Sequence, residues 1–420
     1  MPATVALRLL SMLVVAHAVS ASPVLPLSLP PEVAVPPPPP PPPAGRERAP
    51  VHVIPFTQRS GHILLATTVN GRPATLILDT GSSMSTLDRD WAAPLGLKES
   101  PAPGAAKGVG DVQATLATLD SLRIGSLLMS RERVAILPLR AVSEAHGVSI
   151  QGTVGYSIFS QFVVEIDVAG HELRLYEPST FDDRGHGHAL PIDLTMRIPV
   201  VTAHLRTWAG SSATARLVLD LGTSGLDVLL TAPVAEAHES WWRDRGVEKP
   251  LGTGVGGTTL GRVTTLAQLD VGPLSVRDVV TGIAREHTGF LGATWADGTI
   301  GAPVLQRSVI TFDYARHRVL MEDAHSTLPL RTYDASGLDL VARGPAFERV
   351  MIHHVVAGSA AAECGAAAGD QLVRVDGMDV AGANLDTVHE MLARPGTTRH
   401  VILRRGDTEH PCTMQLRPLF

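Results

Sequence analysis

The stretch ATLILDTGSSMSTL, residues 74–87, decides the reading of this chain. Leu76-Ile77-Leu78 is an apolar run of the kind that forms a strand covered on both faces. It ends at once on Asp79-Thr80-Gly81-Ser82. A carboxylate, a hydroxyl and a glycine at the end of a buried strand describe either an ordinary turn or half of a catalytic site. The rest of the chain bears on the choice, because it says nearly the same thing twice. ARLVLDLGTS at 215–224 answers to ATLILDTGSS at 74–83, and Leu217-Val218-Leu219 delivers Asp220 to a loop holding Gly222, Thr223 and Ser224. The stretch starting GTVGYSIF at Gly152 answers to the one starting GTIGAPVL at Gly298. The offsets, 141 residues at the aspartates and 146 at the glycine motifs, are what a duplicated lobe leaves behind.

Two such loops can face each other across a pseudo-two-fold axis. Carboxylates about 3 Å apart cannot both ionise and share one proton. One then serves as base toward a water held between them, and the other as acid toward a scissile carbonyl. Gly81 and Gly222 permit the close approach; Thr80, Ser82 and Thr223 carry short hydroxyls suited to bracing the loops. This chemistry calls for no cofactor and no metal.

LILDTGSS with GTVG, then LVLDLGTS with GTIG, resembles the aspartic peptidases, most nearly bacterial proteins with retropepsin-like lobes. The resemblance covers most of residues 60–325. It implies a mostly β, bilobal, acid-protease-like double β-barrel with a substrate cleft between lobes, and Asp79 and Asp220 as the catalytic pair. The sequence departs from the family at Leu221, where the Thr that reaches across to the opposite loop would stand, so half of that brace is missing. The candidate lids, Lys107–Leu116 and Gly252–Val263, hold glycines but no tyrosine, so the pepsin-like flap tyrosine is absent.

After residue 325 the pattern changes. Gly337-Leu338-Asp339-Leu340, Gly358-Ser359, Gly369-Asp370 before the strand Gln371 to Val375, and a helical stretch from Ala383 to Gly396 resemble a small α+β PDZ domain. The resemblance implies a peptide added at a sheet edge, its C-terminal carboxylate cradled by backbone N–H groups at Gly337, Leu338, Asp339 and Leu340. Asp339 brings a negative charge to that cradle.

Residues 1–21 read as a signal peptide: Arg8, an apolar core from Leu9 to Val15, and small-x-small cleavage sites at Ala16–Ala18 and Val19–Ala21. Residues 22–50 are a linker, with Pro36 to Pro43 an extended polyproline spacer. Lobe 1 is expected over 51–180, a joint over 182–189, lobe 2 over 190–325 and the PDZ domain over 326–420. No later segment reaches about 18 continuous apolar residues, so no membrane span is expected in the mature chain. A net charge of −6 argues against a nucleic-acid partner.

Smaller features carry less. Cys364 and Cys412 could join in an exported protein or stay as buried thiols. His186 and His188 form a weak chelate pattern without a second pair. His353 and His354 point to opposite faces of one strand and cannot share an ion. Trp241-Trp242 reads as core. The expectation is an exported aspartic endopeptidase, periplasmic or extracellular, acting on an extended polypeptide, with the PDZ domain recruiting or gating it through a C-terminal peptide ligand. The same residues fit a peptide-binding protein that lost turnover through Leu221, or an adaptor centred on the PDZ domain.

Overall fold

The computed structural model describes residues 49–322 and 333–420. The segment read as a signal peptide and almost all of the proline-rich linker lie outside them. The chain is mostly β.

Each lobe is built around its repeated motif. The hairpin His62–Val69 and Arg72–Leu78 turns at Asn70 and Gly71, both at positive φ (47° and 82°), the pairing Asn-Gly favours. Arg72–Leu78 then runs parallel to Gly152–Val154, which also pairs antiparallel with Ser85–Asp88. In lobe 2, Ser212–Asp220 runs parallel to Gly298–Gly301, which pairs antiparallel with Val228–Leu230. The glycines that open the two GT(V/I)G segments sit against a neighbouring backbone. A Cβ on Gly152 would lie 2.0 Å from the Thr86 carbonyl oxygen, and one on Gly298 2.2 Å from that of Leu229. No side chain fits there, which explains the repeated Gly.

A six-stranded sheet joins the lobes. Val163–Asp167 of lobe 1 pairs antiparallel with Ile310–Asp313 of lobe 2, placing Val164 opposite Phe312. Outside them lie Glu172–Tyr176 and Arg318–Met321, and at the edges His52–Pro55 and His188–Pro191. Part of the segment read as a bare joint is therefore the edge strand that opens lobe 2, as His52–Pro55 opens lobe 1. His186 is placed by Glu165, 2.9 Å from its Nδ1. Among the described residues no cluster of three or more His, Cys, Asp or Glu is placed to hold a metal ion. A single apolar core, including Leu65, Leu78, Phe159, Leu217, Leu219 and Phe312, runs through both lobes. Trp242 is buried in it and Trp241 packs half-buried on its edge.

The PDZ domain has its own core and sheet. Its longest helix is Leu385–Leu392, which buries Leu385, Val388 and Leu392 at helical spacing. It starts at Asn384, whose side chain accepts the Asp386 N–H. It stops short of Pro395, which disfavours helical backbone at the residue before it. Cys364 and Cys412 are joined in a disulfide with Cα atoms 5.8 Å apart.

This domain is seated on both lobes. The backbone N–H and Oγ of Ser60 donate to the Asp386 carboxylate at 3.0 and 2.8 Å. Arg343 pairs with Glu144 of the helix Arg140–His146. The Tyr333 hydroxyl donates to Asp227 of lobe 2 at 2.8 Å, and Tyr333 and Phe420 pack against the apolar cluster of Leu226, Leu251 and Leu291.

Candidate active site

The parallel strand pairs carry both aspartates to the same place. The backbone N–H of Asp79 is held by the Val154 carbonyl at 2.9 Å. The two carboxyl groups lie close enough that the charge of Asp220 raises the Asp79 pKa. A Cβ on Gly222 would lie 2.6 Å from Oδ1 of Asp79 and 3.1 Å from Oδ1 of Asp220, and one on Gly81 would lie 2.5 Å from Oδ1 of Asp220. Each loop glycine thus faces the opposite carboxylate at a distance only a hydrogen tolerates.

The two acids are not equivalent. Asp220 accepts the Gly222 N–H at 2.8 Å and the Thr223 hydroxyl at 2.7 Å. Asp79 accepts the Gly81 N–H at 2.9 Å. Ser82, at the position matching Thr223, gives its hydroxyl instead to the Met84 carbonyl at 2.6 Å. Ser82 therefore stiffens its own loop and does not serve a carboxylate, because its rotamer is captured by the turn. Donors favour the charged form, so the extra donor favours the anion at Asp220 and the proton at Asp79. Burial and then the Asp220 charge push the Asp79 carboxyl far above the usual carboxylate range. Burial also raises Asp220, opposed by its Thr223 and Gly222 donors.

The brace between loops is one-sided. The Thr80 hydroxyl donates to the Leu219 carbonyl at 2.7 Å and accepts the Leu221 N–H at 3.0 Å. Both bonds run from lobe 1 into lobe 2 and are buried. Leu221 returns neither and packs into the common core.

Behind the loops, Tyr314 is buried against Phe159 and Tyr156, with ring centroids 5.4 and 5.9 Å away. Burial, reinforced by the Asp79 charge, holds its phenol well above the normal range. Its repeat counterpart is Val168, and that asymmetry was the sequence signal for it. His62 is the other residue the motifs did not reveal. It lies 2.9 Å from the Ser224 hydroxyl, a contact spanning 162 residues that no local pattern encodes.

Two hairpins, one from each lobe, meet at their tips. One is Ser100–Lys107 with Asp111–Thr118, the other Val247–Gly254 with Gly257–Val271. The Gly110 N–H donates to the Val255 carbonyl at 3.2 Å, and the Phe290 N–H to the Gly108 carbonyl at 2.8 Å. Val109 packs into the lobe 2 cluster of Leu226, Leu251 and Leu291, and Val255 into the lobe 1 cluster of Ala114, Leu137 and Leu139.

In the PDZ domain, Leu338 and Leu340 are buried and Gly337 takes a positive φ of 86°. The Gly337 N–H is already donated to Asp334 at 2.7 Å, and the Leu338 N–H to the Ser336 hydroxyl at 3.1 Å. Two donors of the expected carboxylate cradle are thus engaged within the domain. The Asp339 carboxylate lies 3.0 Å from Nδ1 of His353, and that contact raises the His353 pKa. Its charge is balanced locally.

An aspartyl protease family model matches residues 65–158 and a PDZ domain model matches residues 351–405. The first match holds Asp79; Asp220 lies in the second lobe, beyond it. Among solved structures, the chain is 24% identical to a retropepsin-like aspartic protease from Rickettsia conorii over 30% of this chain and 89% of that one, with a TM-score of 0.24. It is 25% identical to a photosystem II D1 C-terminal processing protease over 20% of this chain, with a TM-score of 0.19, and spans only 23% of that protein. No curated protein matches the sequence. The chain thus carries a segment matched by an aspartyl protease model and, C-terminal to it, one matched by a PDZ domain model.

Proposed function

We propose that the protein is an aspartic endopeptidase in which Asp79 and Asp220 activate a water molecule for attack on a peptide bond. The observation that carries this reading is the packing of each loop glycine against the carboxylate of the opposite lobe, which brings Asp79 and Asp220 together. Asp220, with two donors holding its charge, takes a proton from water. Asp79, which bears the shared proton, gives it to the carbonyl oxygen as the water oxygen bonds to the carbonyl carbon. Collapse of the tetrahedral intermediate breaks the C–N bond. The leaving nitrogen takes the proton gained by Asp220, and the proton on the oxygen returns to Asp79, which restores the pair. The meeting hairpin tips exclude bulk water over an extended polypeptide.

Export is part of the proposal. It is supported by the Arg8-led apolar N-terminus and by a disulfide, which persists in an oxidising compartment outside the cytoplasm. The PDZ domain, seated beside the lobes, would present a peptide partner to the same enzyme.

The test is incubation with a mixture of unstructured peptides between about pH 3 and pH 7, the range in which a shared-proton pair works. Cleavage abolished by Asp79→Asn and by Asp220→Asn is expected. Peptide binding without turnover, unchanged in both variants, would instead make the chain a peptide-binding protein. Full partner binding by residues 326–420 alone, with the lobes dispensable, would make it an adaptor.

A further inference from the structure

The one-sided brace leaves the Asp220 loop needing a second tie to lobe 1, and one is present. Ser224, four residues beyond Asp220 and buried, lies with its hydroxyl 2.9 Å from Nε2 of His62 in lobe 1. His62 is itself only 4% exposed. Its Nε2 also lies 3.1 Å from Nε2 of His146, the last residue of the helix Arg140–His146, the two rings meeting edge-on at 4.4 Å. We infer that His62 is a positioning residue for the Asp220 carboxylate, and that Ser224, His62 and His146 form a bridge from the PDZ seat to the catalytic loop. The inference rests on the peptidase reading above.

Three observations converge on it. First, Ser224 directly follows Thr223, whose hydroxyl holds Oδ2 of Asp220 and whose carbonyl accepts the Ala302 N–H at 2.7 Å. A loop this short passes any shift of Ser224 to the donor on the carboxylate. Second, the segment leading into His62 is a seam of three bodies. Ser60 bonds Asp386 of the PDZ domain, and the Gly61 carbonyl accepts from Gln306 of lobe 2 at 2.8 Å. Third, the other arm reaches the same domain. A Cβ on Gly147, just after His146, would meet Leu385 at 3.0 Å and Ala342 at 3.4 Å, so the PDZ domain lies close against this turn, and Glu144 one turn earlier pairs with Arg343. The PDZ domain therefore holds both ends of the lobe 1 structure that fixes His62, and the bridge supplies from lobe 1 the tie that Leu221 does not return.

Turnover of full-length Ser224→Ala, His62→Leu and His62→Gln, and of the Ser224→Ala/His62→Leu double variant, tests this. Ser224→Ala and His62→Leu are each expected to lower kcat by roughly 10- to 100-fold at nearly constant KM, the scale of a small misplacement of a reacting group. The double variant should be no worse than His62→Leu, because both changes cut one bridge. His62→Gln keeps a polar atom near the Nε2 position and should recover most of kcat. Unchanged kcat in Ser224→Ala and His62→Leu, or losses that multiply in the double variant, would overturn the bridge. Asp386→Ala should lower kcat several-fold in the wild-type background and not further in Ser224→Ala; equal losses in both would sever the link to the PDZ domain. Carboxyl-carbon NMR titration of Asp79 and Asp220 reads the bridge without turnover, and Ser224→Ala should shift the pair's titration. If the wild-type chain cleaves nothing, the peptidase reading has failed, and an unshifted titration would then overturn the bridge as well.

Discussion

Thr80→Val isolates the cross-lobe brace. The substitution keeps the shape of a buried side chain and deletes only the hydroxyl, which bonds the Leu219 carbonyl and the Leu221 N–H. Thr80 is 1% exposed, so water cannot replace it. Each backbone group left unpaired in the interior costs about 1–3 kcal/mol, so the lobes should lose about 2–6 kcal/mol. Thr80→Ser keeps both bonds and removes one methyl, for about 0.8 kcal/mol. Urea unfolding followed by tryptophan fluorescence suits the measurement, because Trp91, Trp208, Trp241, Trp242 and Trp295 all lie in the lobes and none in the PDZ domain. The same change frees the Asp220 loop, so kcat should fall by roughly tenfold or more, the scale of a misaligned catalytic group. A Thr80→Val protein within about 0.5 kcal/mol of wild type, the range of an inconsequential surface change, and with unchanged kcat, would refute the argument that this hydroxyl aligns the carboxylates.

Other consequences follow from the same geometry. Both aspartates have raised pKa values in the folded chain, so their protons favour the folded state; that contribution is complete at low pH and is lost as pH rises through the folded values. The alkaline limb of kcat/KM should therefore lie well above ordinary carboxylate titration. Thr223→Val, which removes a donor from Asp220, should move the acid limb upward in a pH–rate profile. Gly222→Ala drives a methyl toward Oδ1 of Asp79 and should abolish turnover, by about 100-fold or more, while circular dichroism stays that of wild type. Replacing Cys364 and Cys412 together by Ala opens a crosslink spanning 48 residues and should destabilise the PDZ domain by up to about 4 kcal/mol. Limited proteolysis should then cut within 333–420 while lobe fluorescence is unchanged.

The repeated motifs made the pair of loops legible, because a glycine that must clear a neighbouring backbone leaves an unmistakable mark in both lobes. The mostly β fold and the PDZ domain were legible for the same reason. The asymmetry of the site was legible only in part. Leu221 announced a missing bond, but nothing in the sequence said that Ser82 would turn its hydroxyl to Met84 while Thr223 turned toward Asp220, because rotamers in tight turns answer to local geometry. His62 was illegible, since a single histidine after Ser60-Gly61 acquires meaning only when residue 224 is folded against it. The joint at 182–189 was misjudged in part because an edge strand such as His188–Pro191 has little pattern of its own. The cysteine spacing left the thiols undecided; only the meeting of their backbones settled them. The glycine pointed to Gly337–Leu340 as a carboxylate cradle, yet the capture of the Gly337 and Leu338 N–H groups by Asp334 and Ser336 depends on a turn no motif records.

The crossed lid tips have a mechanical corollary. Val109 packs half-buried against a cluster of lobe 2 and Val255 against one of lobe 1, so lifting either hairpin breaks a contact with the opposite lobe. Withdrawing each half-buried valine re-exposes part of an apolar side chain, at less than the roughly 1.5–3 kcal/mol of a fully buried one. Each tip is therefore held by the other lobe. For the proposed peptidase, a polypeptide would enter only as both contacts open.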